Sequence, residues 1–302
     1  MKQLYIGGYG PGIVTPGLGL TPTPASSFLA FHPVLPVLYT VGELEQGRLT
    51  AFGTTAFDPA DGLSELASRS SEGSSPCHVA VHPSGALLAV ANYGDGTAGL
   101  HHLDEHGLFT GDPIVLRHEG GGPRADRQEG PHAHQAVFHD DVLHIADLGT
   151  DEIRRYTLTG LPLEPVVLPP GTGPRHFAFA GGHLYVAGEL DGRVHIAGGP
   201  SAPASGAEGL NYPSHLEVRG DLVYVGNRGP NTISVLRATD LSLVAEVPSG
   251  GDWPRHFAFD GDDLWVANQN SDGVARLDVS SGLPQPTGEV LEVKAPACVL
   301  PA

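Results

Sequence analysis

The chain has 302 residues and a formal net charge of −18, from 16 basic and 34 acidic side chains. This balance argues against nucleic acid and anionic membranes as partners, because binding to phosphates needs clustered lysine and arginine. The 42 glycines and 27 prolines indicate many turns, and no apolar run is long enough to span a membrane.

The start of the sequence, MKQLYIGGYG, has no apolar stretch of signal-peptide length. The two cysteines, Cys77 and Cys298, are too few and too far apart for a dense disulfide framework. We therefore expect a cytoplasmic protein with reduced cysteines.

A repeated unit of about 40 residues accounts for most of the chain. The hexapeptide PRHFAF occurs at residues 174–179 and again at residues 254–259. Aligned on the third position of this motif and its weaker copies, seven anchors follow in chain order: Phe28, His78, His134, His176, His215, His256 and Cys298. Such self-similarity is typical of repeat architectures.

Each anchor opens a short alternating apolar run, which a tight turn connects to a second run. The second runs begin at Leu4, Leu38, Leu88, Leu143, Leu184, Val223 and Leu264. A third strand follows most of them, and then a variable fourth. Sustained helical periodicity is absent, so the pattern predicts an all-β protein built from four-stranded antiparallel units.

Seven such units predict a seven-bladed β-propeller, a single domain over residues 1–302. The N- and C-terminal strands would share one blade, since the last unit lacks its second strand and the chain begins with one. The alternatives are an open β-solenoid or two β-sandwiches. Neither explains why the chain begins with the second strand that its last unit lacks. The Ala/Ser/Pro/Gly-rich segment 198–209 is interpreted as a plain connection.

In such a blade the first strand begins on the face where the second strand ends, so the polar residues at these positions should converge on a pocket. They are His78, His132, His134, Arg175, His176, His215, Arg255 and His256 with Asp147, Glu189, Asn227, Arg228 and Asn268. A structural alternative is that the histidines tether neighbouring blades through backbone hydrogen bonds. The permanently charged Arg175 and Arg255 favour an anionic ligand.

An insertion before the third anchor, residues 117–130, lies on the same face. Its Arg124 and Arg127 could reach over the pocket, and its glycines permit a mobile lid. The alternative is a solvated glycine-rich loop.

Other constellations are weaker. His132 and His134 could form half of a metal site, but no third ligand has a suitable spacing. Cys77 and His78 are neighbours in a strand and should face opposite sides, which argues against a nucleophile pair. We expect neither a metal nor a cofactor.

Several motifs together resemble those of the seven-bladed lactonase family, the 6-phosphogluconolactonase type that includes 3-carboxy-cis,cis-muconate lactonizing enzymes. The likeness covers essentially the whole chain. Its carriers are Tyr5-Ile-Gly-Gly-Tyr, Ser75-Pro-Cys-His, Pro131-His-Ala-His, Ala146-Asp-Leu-Gly, Gly173-Pro-Arg-His, Gly188-Glu-Leu, Asn227-Arg-Gly and Pro254-Arg-His. The chain departs from the family pattern at Phe28, where a histidine is absent, and at Gly188, where asparagine is usual.

The resemblance implies metal-independent lactone hydrolysis, or its reverse. We expect a sugar lactone such as 6-phosphogluconolactone as the substrate, and a monomer or weak homodimer. His132 or His134, Arg175 and Glu189 would be catalytic. Chemically, Glu189 would activate water, Arg175 would polarise the carbonyl and His132 would protonate the leaving oxygen.

The predicted substrate-binding residues are His78, Arg127, Asp147, His176, His215, Asn227, Arg228, Arg255, His256 and Asn268, among which Arg127, Arg228 and Arg255 would hold a phosphate or carboxylate. A muconate-type lactonizing cycloisomerase and a non-enzymatic ligand- or partner-binding propeller are the alternatives.

Overall fold

The computed structural model describes residues 3–58 and 60–302. Within these residues 28 strands form seven four-stranded sheets, and the only helical element is a 3₁₀ turn at Gln269–Ser271. The prediction of an all-β chain of four-stranded units is thus confirmed. In the described part of the chain, no helix has the length and apolar character needed to cross a membrane.

The strands are given in chain order. They are β1 (Leu4–Gly8), β2 (Gly12–Thr15), β3 (Gly19–Pro22), β4 (Leu29–Phe31), β5 (Val37–Gly42), β6 (Arg48–Asp58), β7 (Gly62–Ser70), β8 (Pro76–Val81), β9 (Leu87–Asn92), β10 (Thr97–Leu103), β11 (Phe109–Arg117), β12 (Ala133–His139), β13 (Val142–Asp147), β14 (Glu152–Thr157), β15 (Pro162–Val167), β16 (Pro174–Ala180), β17 (His183–Gly188), β18 (Arg193–Ile196), β19 (Ser201–Pro203), β20 (Tyr212–Arg219), β21 (Leu222–Arg228), β22 (Thr232–Arg237), β23 (Leu243–Pro248), β24 (Pro254–Asp260), β25 (Asp263–Asn268), β26 (Gly273–Asp278), β27 (Gln285–Glu292) and β28 (Pro296–Pro301).

Six sheets consist of four consecutive strands, and the seventh has the order β28-β1-β2-β3. The two ends of the described chain therefore share one sheet, as the sequence predicts. Beyond the strands, the backbone N–H of Ala302 donates to the carbonyl of Gln3 at 2.8 Å.

The first two strands of each repeat form a tight hairpin. Between β16 and β17 the turn is made by Gly181 and Gly182, with φ of 57° and 78°. Two successive positive φ values suit the right-handed twist of a hairpin, and glycine adopts them without steric cost.

A β-bulge marks the anchor motif. Register shifts occur at the start of β8, β12, β16, β20 and β24, where the motif residues lie. In β16, Arg175 and His176 together oppose one residue of β17, Ala187. Proline cannot donate to a strand ladder and is tolerated at such irregular positions, and a bulge re-aims the side chains beside it. The bulge therefore explains why the polar side chains of the motif depart from the simple alternation of side chains between the two faces of a strand.

The chain divides into two compact units. The N-terminal unit is Gly7–Val167, and the C-terminal unit comprises the residues up to Ile6 together with Leu168–Ala302. In the N-terminal unit, small and branched residues of β9, β10, β12 and β13 form one core cluster. In the C-terminal unit, a comparable cluster joins strands β17 and β18 to β20–β22. A single domain over residues 1–302 stays a prediction.

The interpretation of residues 198–209 as a plain connection is wrong in part, because Ser201–Pro203 forms β19 at the edge of its sheet. It pairs with β18 in the register Val194↔Ala202, and Ala202 packs against the apolar core. An edge strand pairs on one side only, so a segment of low β-propensity suffices there.

Candidate active site

The predicted catalytic residues fall into two groups, each described within its own unit. Arg175 and Glu189 lie in the C-terminal unit, whereas His132 and His134 lie in the N-terminal unit. Of the predicted binding residues, His78, Arg127 and Asp147 belong to the N-terminal unit, and His176, His215, Asn227, Arg228, Arg255, His256 and Asn268 belong to the C-terminal unit.

In the C-terminal unit a buried glutamate is paired with two arginines. Oε2 of Glu189 lies 3.1 Å from Nε of Arg175 and 2.5 Å from Nη2 of Arg228. The three side chains are 3–6% exposed. Buried charges require paired partners, and two guanidinium groups beside one carboxylate favour its ionised form. The predicted proximity of Arg175 and Glu189 is therefore present, and Arg228 completes what we call the Arg–Glu–Arg cluster (Arg175, Glu189, Arg228).

Backbone hydrogen bonds fix the position of this cluster. The N–H of Glu189 donates to the carbonyl of Gly173 at 2.9 Å, which holds the end of β17 against the start of β16. Nε of Arg228 donates to the carbonyl of Tyr212 at 3.0 Å, and Nη2 also reaches the carbonyl of Pro213. Arg228 thus orients Glu189 as well as neutralising it, a role that the sequence prediction of an anion-binding arginine missed.

An aromatic side chain covers the second arginine. The guanidinium carbon of Arg228 lies 5.4 Å from the ring centroid of Trp253. Trp253 has a φ of 66°, which is unusual for a bulky residue, and its N–H donates to Oδ1 of Asn231 at 3.0 Å. The strained backbone places the indole against the cluster, where it shields one face of the arginine.

Gly188, where asparagine is usual in the family, lies against a space that is already filled. A Cβ at Gly188 would lie 2.3 Å from Oδ1 of Asp191 and 3.1 Å from the carbonyl of Thr172. Asp191 is itself held by the N–H of Arg193 at 3.1 Å and by Nε2 of His195 at 2.7 Å. The Asp191 carboxylate therefore fills the space that a side chain at Gly188 would need.

Gly188→Ala should therefore destabilise the protein by about 1–3 kcal/mol, the usual cost of overpacking a filled site. Urea denaturation followed by circular dichroism measures this difference. Gly130→Ala is the matched control, because a Cβ at Gly130 meets no atom within 4 Å. Equal stability of the two variants would show that Asp191 moves aside freely.

Three anchor histidines form a row in the C-terminal unit. Nδ1 of His176 lies 2.8 Å from Nδ1 of His215, and the rings of His215 and His256 have centroids 4.1 Å apart. Burial, with the charge of Arg175 nearby, lowers the pKa of His215 to about 3. Burial and the neighbouring His215 hold the pKa of His256 well below its usual value. His215 and His256 are therefore neutral at physiological pH.

Two anchor histidines make the backbone contacts that tethering requires. Nδ1 of His256 accepts a hydrogen bond from the N–H of Val299 at 3.4 Å. In the N-terminal unit, Nδ1 of His78 accepts from the N–H of Ala136 at 3.5 Å, and its ring lies 4.0 Å from the ring of Phe28. Phe28, the anchor without histidine, thus supplies a packing surface. Ligand binding by His78 and His256 stays a prediction.

The N-terminal unit contains a second polar cluster around Tyr93. The ring of His132 stacks on that of Tyr93 with centroids 4.6 Å apart, and His134 meets it edge-on at 5.6 Å. Nη2 of Arg127 donates to the Tyr93 hydroxyl at 3.3 Å. His132, His134 and Arg127, predicted separately, are therefore brought together, and Tyr93 is the residue that organises them.

Both ring nitrogens of His132 face oxygen acceptors. Nδ1 lies 2.8 Å from the carbonyl of Tyr93, and Nε2 lies 3.2 Å from Oε1 of Glu129. A hydrogen bond with its own backbone, with His132 and Arg127 nearby, lowers the pKa of Glu129, which is therefore ionised. The Tyr93 carbonyl and the Glu129 carboxylate both accept hydrogen bonds, so these two contacts fix the orientation of the imidazole ring.

The insertion at residues 117–130 is anchored at two points. Gln128, which is buried, donates through Nε2 to the Leu148 carbonyl at 2.9 Å and to Oδ1 of Asp151 at 2.8 Å. His118 lies 2.7 Å from Oδ2 of Asp147. Arg124 is exposed and Arg127 is half-buried. These contacts confine any mobile segment to the residues between His118 and Gln128. A lid stays a prediction.

The polar residues that end the second strands are engaged in structural hydrogen bonds. Oδ1 of Asp147 accepts from the N–H groups of His132 and Gly149 at 2.9 and 3.0 Å. Nδ2 of Asn227 donates to Oγ of Ser234 at 2.8 Å, and Nδ2 of Asn268 donates to the Ser249 carbonyl at 3.0 Å. Asp147 and Asn268 thus bind backbone groups outside the strands, and Asn227 joins β21 to β22. Binding of these three side chains to substrate stays a prediction.

The structure places the Cys77 thiol near His134, whereas the sequence analysis considered His78 as its partner. Sγ of Cys77 lies 3.8 Å from Nδ1 of His134, and it donates to the His134 carbonyl at 3.3 Å. Both cysteines are buried. Among residues 3–58 and 60–302, no three His, Cys, Asp or Glu side chains are grouped so as to hold a metal ion.

A comparison with known families decides the relationship of this chain. Residues 13–301 match the family described as "Lactonase, 7-bladed beta-propeller". The chain belongs to this family. Its match spans both units, so the seven sheets are the seven blades of the lactonase propeller, and the predicted resemblance and fold class are confirmed.

Individual relatives agree with this assignment. The lactonase from Formosa agariphila named 6-phosphogluconolactonase is 30% identical over 293 residues, which cover 85% of this chain and 82% of that protein. The 6-phosphogluconolactonase of Bacillus subtilis is 30% identical over 78% of this chain and 74% of its own. The solved structure of the periplasmic gluconolactonase PpgL of Pseudomonas aeruginosa is 25% identical, with a TM-score of 0.86 over 99% of this chain and 98% of its own. Since this neighbour is periplasmic, the expected cytoplasmic location stays a prediction.

Proposed function

We propose that this lactonase-family chain hydrolyses a sugar lactone such as 6-phosphogluconolactone, the step that would place it in the pentose phosphate pathway. The proposal is supported by the names of two relatives that are 30% identical. The observation that carries it is the Arg–Glu–Arg cluster, a buried carboxylate held between two guanidinium groups.

Lactone opening requires a base for water and a donor for the developing oxyanion. Glu189 is the proposed base, since its ionised form is favoured by both arginines. Arg175 is the proposed oxyanion donor, because a preorganised cationic donor in a buried site stabilises developing negative charge strongly. Arg228 holds the carboxylate in place through its bonds to Glu189 and to two backbone carbonyls.

The remaining roles follow from position and charge. Arg255, half-buried and 3.3 Å from Oε1 of Gln269 through Nη1, is proposed to hold the anionic group of the substrate. In the N-terminal unit, His132 is proposed as a proton donor, because the Tyr93 carbonyl and the Glu129 carboxylate orient its ring.

A substrate comparison tests the proposal. Purified protein is assayed by pH-stat titration of released acid with 6-phosphogluconolactone, with gluconolactone and with a muconate-type lactone, each corrected for spontaneous hydrolysis. We expect turnover of the sugar lactones, with the phosphorylated one preferred in kcat/KM. Turnover of the muconate lactone alone would favour the cycloisomerase alternative, and binding without turnover would favour a non-enzymatic propeller.

Activity should survive chelation. The proposed chemistry assigns water activation to Glu189 and oxyanion stabilisation to Arg175, so neither step is assigned to a metal ion. Incubation with EDTA followed by gel filtration should leave kcat unchanged. Loss of activity that a divalent cation restores would contradict the metal-independent mechanism.

A further inference from the structure

A chain of hydrogen bonds links three titratable groups of the C-terminal unit outside the Arg–Glu–Arg cluster. Nδ1 of His176 lies 2.8 Å from Nδ1 of His215. The other nitrogen of His215, Nε2, lies 3.2 Å from Oε1 of Glu217. His176 and His215 are buried, whereas the Glu217 side chain is 37% exposed. The chain therefore runs from a buried imidazole to a carboxyl that solvent reaches.

The direction of these bonds depends on Glu217. When its carboxylate is ionised it only accepts, so Nε2 of His215 carries the hydrogen. Neutral His215 then has a bare Nδ1, which accepts from Nδ1–H of His176. Neutral His176 is thereby left with an unprotonated Nε2, a hydrogen-bond acceptor and a base.

Protonation of Glu217 reverses the direction of both hydrogen bonds that link Glu217, His215 and His176. Its O–H then donates to Nε2 of His215, whose hydrogen moves to Nδ1 and is donated to Nδ1 of His176. The hydrogen of His176 is now on Nε2. When Nε2 of His176 accepts a proton, His176 passes its Nδ1 proton to Nδ1 of His215. His215 then passes its Nε2 proton to Glu217, so that the carboxylate becomes a carboxylic acid.

We propose that Glu217, acting through His215, sets the tautomer of His176, so that these three residues form a proton relay leading to the strand end that bears Arg175. Glu217 and His215 are positioning residues in this relay. The inference deepens the proposed lactonase function and, in its effect on catalysis, rests on it.

The surroundings of His215 suit the neutral imidazole that the relay requires. His215 faces Arg175, His256 and the ring of Phe257, and these neighbours with burial keep it uncharged. Glu217 faces His215 and Arg219, and Tyr224 lies opposite it in β21. Partial burial of the Glu217 carboxyl raises its pKa to about 7, against the opposing charge of Arg219. The relay should therefore switch near neutral pH.

The relay and Glu189 are separable by their pH dependence. Two guanidinium groups favour ionised Glu189, so its protonation should not account for a change near neutrality. A group with a raised pKa is protonated below that value and ionised above it. Since ionised Glu217 leaves Nε2 of His176 unprotonated, proton acceptance by His176 should increase as pH rises through about 7.

Nitrogen NMR of the wild-type protein tests the relay without any assay of activity. In protein labelled with ¹⁵N-histidine, with resonances assigned through His176→Gln and His215→Gln, the long-range ¹⁵N–¹H pattern reports which ring nitrogen carries the hydrogen. We expect His215 to change from the Nδ1–H to the Nε2–H form as pH rises through about 7, and His176 to change in the opposite sense. Rings that keep one tautomer throughout would overturn the proposal.

Glu217→Gln provides the kinetic arm, with exposed Glu208→Gln as its control. In the wild type and the control, kcat/KM should rise as pH increases through about 7. In Glu217→Gln, kcat/KM should not change over this range, and His176 and His215 should each keep one tautomer. A Glu217→Gln profile identical to wild type would also overturn the relay. Should wild type hydrolyse no lactone, the proposed function fails, while the NMR titration still decides the relay.

Discussion

Replacing Arg175 by alanine should lower kcat for the best sugar lactone by about 10²–10³-fold, the range for loss of one oxyanion donor. Glu189→Gln should lower it by roughly 10²–10⁴-fold, the range for a positioned general base. Steady-state kinetics with 6-phosphogluconolactone measures both effects. The reason is the geometry of the Arg–Glu–Arg cluster, in which one carboxylate oxygen contacts both guanidinium groups.

The controls are exposed residues of the same unit, Arg237→Ala and Glu208→Gln, which should retain wild-type kcat. Glu189→Gln leaves two buried guanidinium groups without their counter-ion, and removing one partner of a buried pair costs about 3–5 kcal/mol. Kinetics should therefore be measured well below the melting temperature, with the folded fraction checked by circular dichroism. Folded single mutants with wild-type kcat would place the chemistry elsewhere.

Removing residues 1–10 should lower the melting temperature markedly, by roughly 10 °C or more. This deletion takes away β1, which lies between β28 and β2 in its sheet. All five residues of β1 are buried. The loss exposes two unpaired strand edges and the apolar positions that packed around β1. Differential scanning calorimetry measures the shift.

A single substitution gives a milder version of this test. Ile6 is fully buried in β1, so Ile6→Ala should destabilise the protein by about 2–5 kcal/mol. Leu210, which is 77% exposed, provides the matched control Leu210→Ala with no expected change. If the truncated chain melts like the intact one, pairing of the terminal strands does not stabilise the fold.

The strand order of this protein could be predicted because its sequence repeats. The two PRHFAF copies became β16 and β24, and the phase of the ends predicted that β28 and β1 share a sheet. The bulges at the anchors could not be predicted, since a bulge depends on the register between two strands. The edge strand Ser201–Pro203 was missed because its pairing is set by its neighbour and not by its own composition.

The site was predicted in part for similar reasons. Arg175 and Glu189 begin and end consecutive strands of one hairpin, so their proximity follows from local topology. The contact of Arg228 with Glu189 joins two sheets, and its geometry depends on packing that the sequence does not display. Glu217 was overlooked, although its position two residues after His215 is the spacing that puts both on one face of a strand.

The most direct test of the central claim is a double-mutant cycle on kcat for Arg175 and Glu189, measured on the best lactone. If the Arg–Glu–Arg cluster catalyses lactone opening as one unit, the double variant should be scarcely slower than the slower single variant. Fully additive losses, with the double variant slowed by the product of the two single effects, would show that Arg175 and Glu189 act independently and would contradict the account.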